Sequence, residues 1–192
     1  MNQQPNPPAK LQAILDRTAQ ISFPMPSEAQ TGALLRMLAA SRPGGRLLEI
    51  GTGTGIATAW LLDGMNADSR LVTLDVDARA QAIAREFLGL DPRLEIVTDD
   101  AAAFLLRQPK KSFDLIFADA MIGKYELLDE AIALLRSGGL YVIDDMLPQT
   151  NWPEGHASRV ASLLADLEGR TDVHAVFLEW ASGIVIAAKT TL

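Results

Sequence analysis

The chain has 192 residues, a net charge of −7 from 17 basic and 24 acidic residues, and no cysteine. This length is typical of one domain with its own hydrophobic core, while the absence of Cys excludes disulfide scaffolds, zinc–thiolate sites and cysteine nucleophiles. The negative charge disfavours nucleic acid as a partner, because that affinity comes largely from phosphate neutralisation. No apolar run reaches the ~20 residues that span a bilayer, and the first eight residues lack the regions of a signal peptide. We therefore expect a cytoplasmic protein with no membrane partner.

The N-terminal part is predicted to be a tail followed by two helices. Residues 1–8 are polar and Pro-rich, which predicts a disordered tail, and residues 9–192 are predicted to form a single domain. Apolar spacing predicts helices over residues 10–20 and about 28–40, and these belong to an N-terminal region, 9–45, that precedes the core. Ser27 and Gln30 have the spacing of a capping box for the second helix.

From residue 46 to residue 192, the predicted core, short apolar runs alternate with segments of helical periodicity. Strands are predicted at 46–50, 70–75, 94–97, 113–118 and 139–144, and helices at about 55–64, 77–89, 100–107, 125–136 and 156–168. This alternation is typical of a doubly wound, Rossmann-like α/β fold with a mostly parallel sheet. Two last β-rich runs, 173–179 and 184–189, predict a C-terminal hairpin that adds antiparallel strands.

Glycines at positions 51, 53 and 55 lie between a predicted buried strand and a predicted helix. Such a junction lets backbone N–H groups approach a ligand closely. Asp75 ends the next strand, where a carboxylate can accept hydrogen bonds from the ribose hydroxyls of a nucleoside. The alternative is that the glycines only make a tight turn and that Asp75 caps the next helix. An NAD-type oxidoreductase is disfavoured, because its motif needs a glycine at position 56, which is Ile here.

The combination of Glu49, the three glycines and Asp75 resembles the class I S-adenosylmethionine-dependent methyltransferases. The resemblance implies S-adenosyl-L-methionine as cofactor, with the glycine loop under its methionine part and Asp75 on its ribose. It also implies that the terminal hairpin completes a seven-stranded sheet. The implied cofactor-binding residues are Met25, Glu49, Gly51, Gly53, Gly55, Ala57, Asp75, Val76, Asp100, Ala101, Asp119 and Ala120.

Three carboxylates follow two further strands. Asp119 ends the fourth predicted strand, and Asp144 and Asp145 end the fifth. Because parallel strands bring their carboxyl ends to one edge of the sheet, these side chains can converge. Their repulsion would be relieved by a cation, and oxygen ligands suit Mg²⁺, Ca²⁺ or Mn²⁺. The alternative is that Asp119 contacts only the cofactor and that the other two cap the following loop.

This constellation is similar to that of the catechol and caffeoyl-coenzyme A O-methyltransferase group, over residues 23–189. Further motifs carry the likeness: residues 25–30, Tyr125 six residues after Asp119, residues 135–140 and residues 180–184. The resemblance implies O-methylation of a small hydroxylated acceptor, a metal ion held by Asp119, Asp144 and Asp145, and a homodimer. Two positions depart from the group, since its third ligand is Asn rather than Asp145, and its catalytic Lys is replaced by Ile122.

Asp119 is one predicted catalytic residue. Two further residues, Lys124 and His156, are candidates for the missing general base. Lys124 lies two residues beyond Ile122, with a solvated lysine as the alternative. His156 ends a long loop at the active edge, where its near-neutral pKa would suit a base, and a solvent-exposed histidine is the alternative. Without a working base the chain would be a non-catalytic nucleoside-binding module. An RNA methyltransferase is a further alternative within the family, disfavoured by the net charge.

Overall fold

A computed structural model describes residues 6–150 and 152–191. The predicted disordered tail therefore lies mostly outside the described residues. Residues 6–8 have no regular structure, but Pro8 is buried and the Asn6 carbonyl accepts a hydrogen bond from Arg36. The predicted capping box is wrong, since the cap residue of the second helix is Glu28, without a side-chain capping hydrogen bond.

The described chain alternates helices and strands as the sequence predicts. The helices are α1 Leu11–Gln20, α2 Ala29–Ala40, α3 Ile56–Gly64, α4 Ala78–Leu88, α5 Ala101–Arg107, α6 Leu128–Ala133 and α7 His156–Gly169. The strands are β1 Arg46–Ile50, β2 Arg70–Asp75, β3 Leu94–Thr98, β4 Phe113–Ala118, β5 Leu135–Ile143, β6 Val173–Leu178 and β7 Ile184–Lys189. Of the helices that the structure describes, none has both the length and the apolar character needed to cross a membrane.

Within the described residues, the strands form one sheet of seven in the order β3-β2-β1-β4-β5-β7-β6. Strands β1 to β5 run parallel, whereas β7 is antiparallel to both β5 and β6. This arrangement confirms the predicted fold class. The strand order reverses between β1 and β4, and in such sheets the crevice at the carboxyl ends of these two strands is where ligands bind.

Both faces of the sheet are covered by helices. Leu47 and Leu115 point to one face, where they pack with residues of α1 to α4 such as Trp60. Leu48 and Ile116 point to the other face and pack with residues of α5 to α7. Because both faces are buried, the central strands are mostly apolar, with Glu49 of β1 and Thr73 of β2 as buried polar exceptions.

The predicted helix over residues 125–136 is wrong at both ends, since α6 is only six residues long. At its C-terminal end the Leu134 carbonyl accepts hydrogen bonds from the backbone N–H groups of Ser112 and Phe113. The chain therefore enters β5 at Leu135, which pairs with Phe113. These pairings are distant in sequence, so apolar periodicity could not reveal them.

Candidate functional site

The glycine loop makes a tight turn between β1 and α3. Gly51 and Gly55 have φ values of 104° and 91°, in the region that side chains rarely adopt. A Cβ at Gly51 would lie 2.6 Å from the Asp119 carbonyl oxygen. A Cβ at Gly55 would lie 2.8 Å from the Ala84 Cβ. Gly55 therefore allows α3 to pack on α4, while Gly51 allows the loop to approach the end of β4.

Asp75 holds this loop at the carboxyl end of β2. One carboxylate oxygen accepts a hydrogen bond from the Gly53 N–H at 2.8 Å, and the other accepts one from the Asp77 N–H at 2.9 Å. Helix α4 is capped by Asp77 instead, whose side chain accepts from two backbone N–H groups of the first turn. Each Asp75 oxygen retains a lone pair that can accept another hydrogen bond. The sequence alternative, that Asp75 caps the helix, is therefore wrong.

Behind the loop lies a buried hydrogen-bond network centred on Glu49. The Thr58 and Thr73 hydroxyls both donate to Oε2 of Glu49 at 2.5 Å, while its Oε1 has no partner. Because the Thr73 hydroxyl gives its hydrogen to Glu49, it accepts a 2.7 Å hydrogen bond from the Thr52 hydroxyl. The side-chain amide of Gln81 in turn donates to the Thr52 hydroxyl. The network thus ties the glycine loop to β1, β2 and α4.

Complete burial raises the pKa of Glu49 to about 8, against the two threonine hydrogen bonds, which lower it. The carboxylates of Asp119 and Asp75 raise it further. Glu49 is therefore a neutral acid below this pH, which suits a group that has no cation beside it. Sequence reasoning placed Glu49 at the cofactor but missed the network around it, whose only visible signal is a cluster of Thr residues on neighbouring elements.

A cleft of about 100 Å³ opens above the loop, at the switch between β1 and β4. Its floor is Gly51–Thr54, its rim carries Asp75 and Asp119, and Phe23 with Met25–Ser27 covers it. The predicted cofactor residues Met25, Gly51, Gly53, Asp75 and Asp119 thus line one space. Sequence reasoning missed Phe23, whose ring lies above Gly53.

The other predicted cofactor residues lie outside this cleft. Ala57 and Gly55 are buried in or beside α3, and Ala120 is partly buried after Asp119. Val76 is 69% exposed. Asp100, beside Ala101, caps α5 by accepting a hydrogen bond from the Ala103 N–H.

Next to the cleft, two carboxylates face a buried lysine. The Lys124 Nζ lies 3.5 Å from Oδ1 of Asp119, and its side chain is only 6% exposed, so the alternative of a solvated lysine is wrong. Asp144 is almost fully buried, and Ser182 donates a 2.5 Å hydrogen bond to its Oδ1. Burial raises the pKa of Asp144, and so does the carboxylate of Asp119, whereas Ser182 and the Lys124 ammonium lower it.

Asp145 belongs to a different cluster. Its backbone is left-handed, with φ at 63°, and both carboxylate oxygens lie 3.1 Å from the indole Nε1 of Trp152, which donates to them. The buried His156 lies 4.0 Å from Asp145, its Nε2 is 3.1 Å from the Tyr125 hydroxyl, and its ring is 4.5 Å from that of Trp152. Burial, followed by the Asp145 carboxylate, raises the pKa of Tyr125 to about 12. His156 is thus neither exposed nor among the residues that line the cleft.

The predicted metal ligands do not come together. In residues 6–150 and 152–191, no three His, Cys, Asp or Glu side chains form a group that could hold a metal ion. Asp119 and Asp144 are close to Lys124, and Asp145 is turned toward Trp152. The donors present therefore do not fit a divalent cation bound by these three residues.

Comparison with known proteins assigns the chain to a family. A family model described as O-methyltransferase matches residues 6–189. The chain belongs to the O-methyltransferase family. This membership confirms the resemblance that the glycine loop and the three aspartates carry.

Relatives and solved structures in the O-methyltransferase family extend the comparison. A relative from Mycolicibacterium smegmatis with O-methyltransferase in its name is 38% identical over 117 residues, which is 58% of this chain. A second relative so named, from Mycobacterium ulcerans, is 36% identical over 138 residues, which is 69% of this chain. The chain covers only 56% and 61% of the length of these relatives. The O-methyltransferase TomG from Streptomyces achromogenes, solved in complex with SAM, is 27% identical with a TM-score of 0.81, over 95% of this chain and 90% of that one. An O-methyltransferase from Bacillus cereus, at 24% identity and a TM-score of 0.82 over 95% and 91% of the two chains, shares the fold.

Proposed function

We propose that this chain binds S-adenosylmethionine in the cleft and transfers its methyl group to a hydroxyl of a small-molecule acceptor. The observation that carries the proposal is the glycine loop held by Asp75 at the switch between β1 and β4, in a chain of the O-methyltransferase family. TomG, which shares this fold, was solved with SAM. From the family resemblance we also propose a homodimer, and from the absence of Cys a cytoplasmic location.

The residues of the cleft fit the proposed cofactor. Gly51 and Gly53 bring no side chains into the space, and the free lone pairs of Asp75 can accept hydrogen bonds from ribose hydroxyls. The space above the floor is about 100 Å³, less than the ~300–1,000 Å³ of ordinary ligand pockets. Since Phe23 and Met25–Ser27 cover it, we infer that this segment moves aside when the cofactor enters.

When bound, S-adenosylmethionine supplies a sulfonium-activated methyl group, so the main task of the protein is to align the acceptor oxygen with it. Such positioning can contribute ~7–11 kcal/mol to lowering the barrier. Of the three predicted catalytic residues, Asp119 lines the cleft, Lys124 contacts Asp119, and His156 belongs to the cluster around Trp152. We therefore propose Asp119, supported by Lys124, as the group nearest to the acceptor, with His156 as a residue that anchors α7.

Calorimetric binding of S-adenosylmethionine tests the proposal, with Asp75→Ala as the variant. A charge-assisted hydrogen bond contributes ~1.5–3 kcal/mol, so the loss of one ribose contact alone weakens binding by about 10-fold or more. Asp77→Ala is the matched control, because Asp77 is two residues away and caps α4 without lining the cleft. Equal affinity of the Asp75→Ala protein and the wild type would reject the assignment. Transfer of labelled methyl to a panel of hydroxylated acids and phenols then tests the acceptor class.

A further inference from the structure

We propose that the Lys124 ammonium is the resident cation of this active site and that the protein transfers methyl groups without a divalent metal ion. The inference rests on the proposed function, since it concerns how the same site balances its acidic groups. It departs from the metal site that the three aspartates predict.

The Lys124 side chain lies where a cation is needed. Lysine is almost never buried unless it is paired. The Lys124 side chain is only 6% exposed, and its partner is Asp119, whose Oδ1 lies 3.5 Å from the Lys124 Nζ. Its charge also acts favourably on the carboxylate of Asp144. The ammonium therefore contacts Asp119 and acts on the charge of Asp144, the two residues that would be the first two ligands of a metal ion.

A metal ion at this place would be repelled. A divalent cation held by Asp119 and Asp144 would lie beside the buried ammonium, and like charges at such distances in a poorly solvated site are strongly unfavourable. Oδ1 of Asp144 already accepts from the Ser182 hydroxyl and from the Asp145 N–H, so only its Oδ2 has lone pairs left for a cation. The place that a metal ion would take beside Asp119 is occupied by the Lys124 ammonium.

The third predicted ligand, Asp145, is held away from the other two aspartates. The left-handed backbone of Asp145 and the two 3.1 Å contacts to the Trp152 indole hold its carboxylate in another cluster. His156 and Tyr125 pack around that indole and fix it. Bringing Asp145 back to the other aspartates would break these contacts and leave the indole N–H without its acceptor.

Electron paramagnetic resonance of Mn²⁺ added to the cofactor-free protein tests the inference directly. We expect the wild type to hold no stoichiometric Mn²⁺. Lys124→Gln removes the ammonium and leaves two carboxylates unpaired, so this variant is expected to gain one site that binds Mn²⁺ at least about 10-fold more tightly than the wild type does. Lys124→Arg is the control, because it keeps the positive charge and is expected to bind no Mn²⁺. Adding Asp119→Asn to Lys124→Gln should abolish the gained site.

Several results would overturn the inference. One is a wild-type protein that binds one equivalent of Mn²⁺ and loses it on Asp144→Asn. Another is a folded Lys124→Gln protein, checked by circular dichroism, that gains no Mn²⁺ site. If Lys124→Gln does not fold, two measurements on the wild type decide alone: the Mn²⁺ titration and the turnover in excess chelator. Full turnover in chelator is expected, and activity that requires added Mg²⁺ would contradict the inference. Calorimetric binding of S-adenosylmethionine to the wild type, measured in parallel, reports separately on the proposed function.

Discussion

The Glu49→Gln protein should become progressively more stable, relative to the wild type at the same pH, as the pH rises. In the folded chain the pKa of Glu49 is raised to about 8 from its ordinary value of 4.5, first of all by complete burial. A carboxyl group whose pKa is raised on folding is bound to its proton more tightly in the native state. Its stabilising contribution is therefore complete below pH 4.5 and is lost as the pH rises toward 8 and above.

The size of the effect follows from the two pKa values. Each pKa unit corresponds to 1.36 kcal/mol, so the difference of about 3.5 between 4.5 and 8 corresponds to about 5 kcal/mol over the whole range. Between pH 5 and pH 8 the change is about 3–4 kcal/mol. Since the total stability of a domain is ~5–15 kcal/mol, such a change is large enough to measure.

Urea unfolding followed by circular dichroism, at pH values between 5 and 8, gives the free energy of unfolding of both proteins. Titrating groups that do not interact with Glu49 contribute equally to both proteins, so the difference between them reports on Glu49 and on the carboxylates coupled to it. Placing an amide at the buried Oε1 position has its own cost, but that cost is the same at every pH. Replacing the exposed Glu95 by Gln is the matched control for the loss of a carboxylate at a solvent-exposed position.

A difference in unfolding free energy between the Glu49→Gln protein and the wild type that stays constant from pH 5 to pH 8 would contradict this prediction. Such a result would mean that Glu49 is ionised in the folded protein at neutral pH. The two threonine hydroxyls would then have to outweigh the burial of the carboxylate.

Three further predictions concern the loop, the cover of the cleft and the edge of the sheet. Gly55→Ala should lower the Tm by at least ~4 °C, because the new Cβ would lie 2.8 Å from Ala84 at a φ of 91°; Gly169→Ala, with no atom within 4 Å of the new Cβ, should leave the Tm unchanged or raise it, and an equal effect of both would contradict the packing argument. Phe23→Ala should speed the association of S-adenosylmethionine in stopped-flow measurements, because it removes the ring above Gly53, whereas an unchanged rate would mean that the cover does not limit entry. The Arg170 guanidinium, and then the Lys189 ammonium, hold the pKa of Asp172 well below its usual range. The stability that this gives is present above the ordinary pKa of Asp and is lost on acidification. Asp172→Asn should therefore reduce the loss of unfolding free energy at acid pH, and an unaltered pH dependence would refute the assignment.

Much of the fold could be predicted from the sequence because its signals are local. Apolar runs bounded by Gly and Pro mark the strands, and the spacing of Gly51, Gly53 and Asp75 predicts a loop with an acid beside it. Those three residues line one cleft in the structure. Local signals failed at residues 125–136, where pairing of Leu135 with Phe113 ended the helix early.

The surroundings of the aspartates could not be predicted in the same way. Adjacent in sequence, Asp144 and Asp145 belong to different clusters because Asp145 has a left-handed backbone and a distant Trp152 donates to it. The burial of Lys124 depends likewise on how the loop after β4 folds against Asp119. Both are tertiary contacts that leave no periodic signal in the chain.

Isothermal titration of S-adenosylmethionine into the wild-type protein tests the central claim most directly. The geometry of the glycine loop and Asp75 predicts one binding site per chain. A folded protein that releases no heat and retains no labelled S-adenosylmethionine in equilibrium dialysis would contradict it, whatever cation the neighbouring aspartates hold.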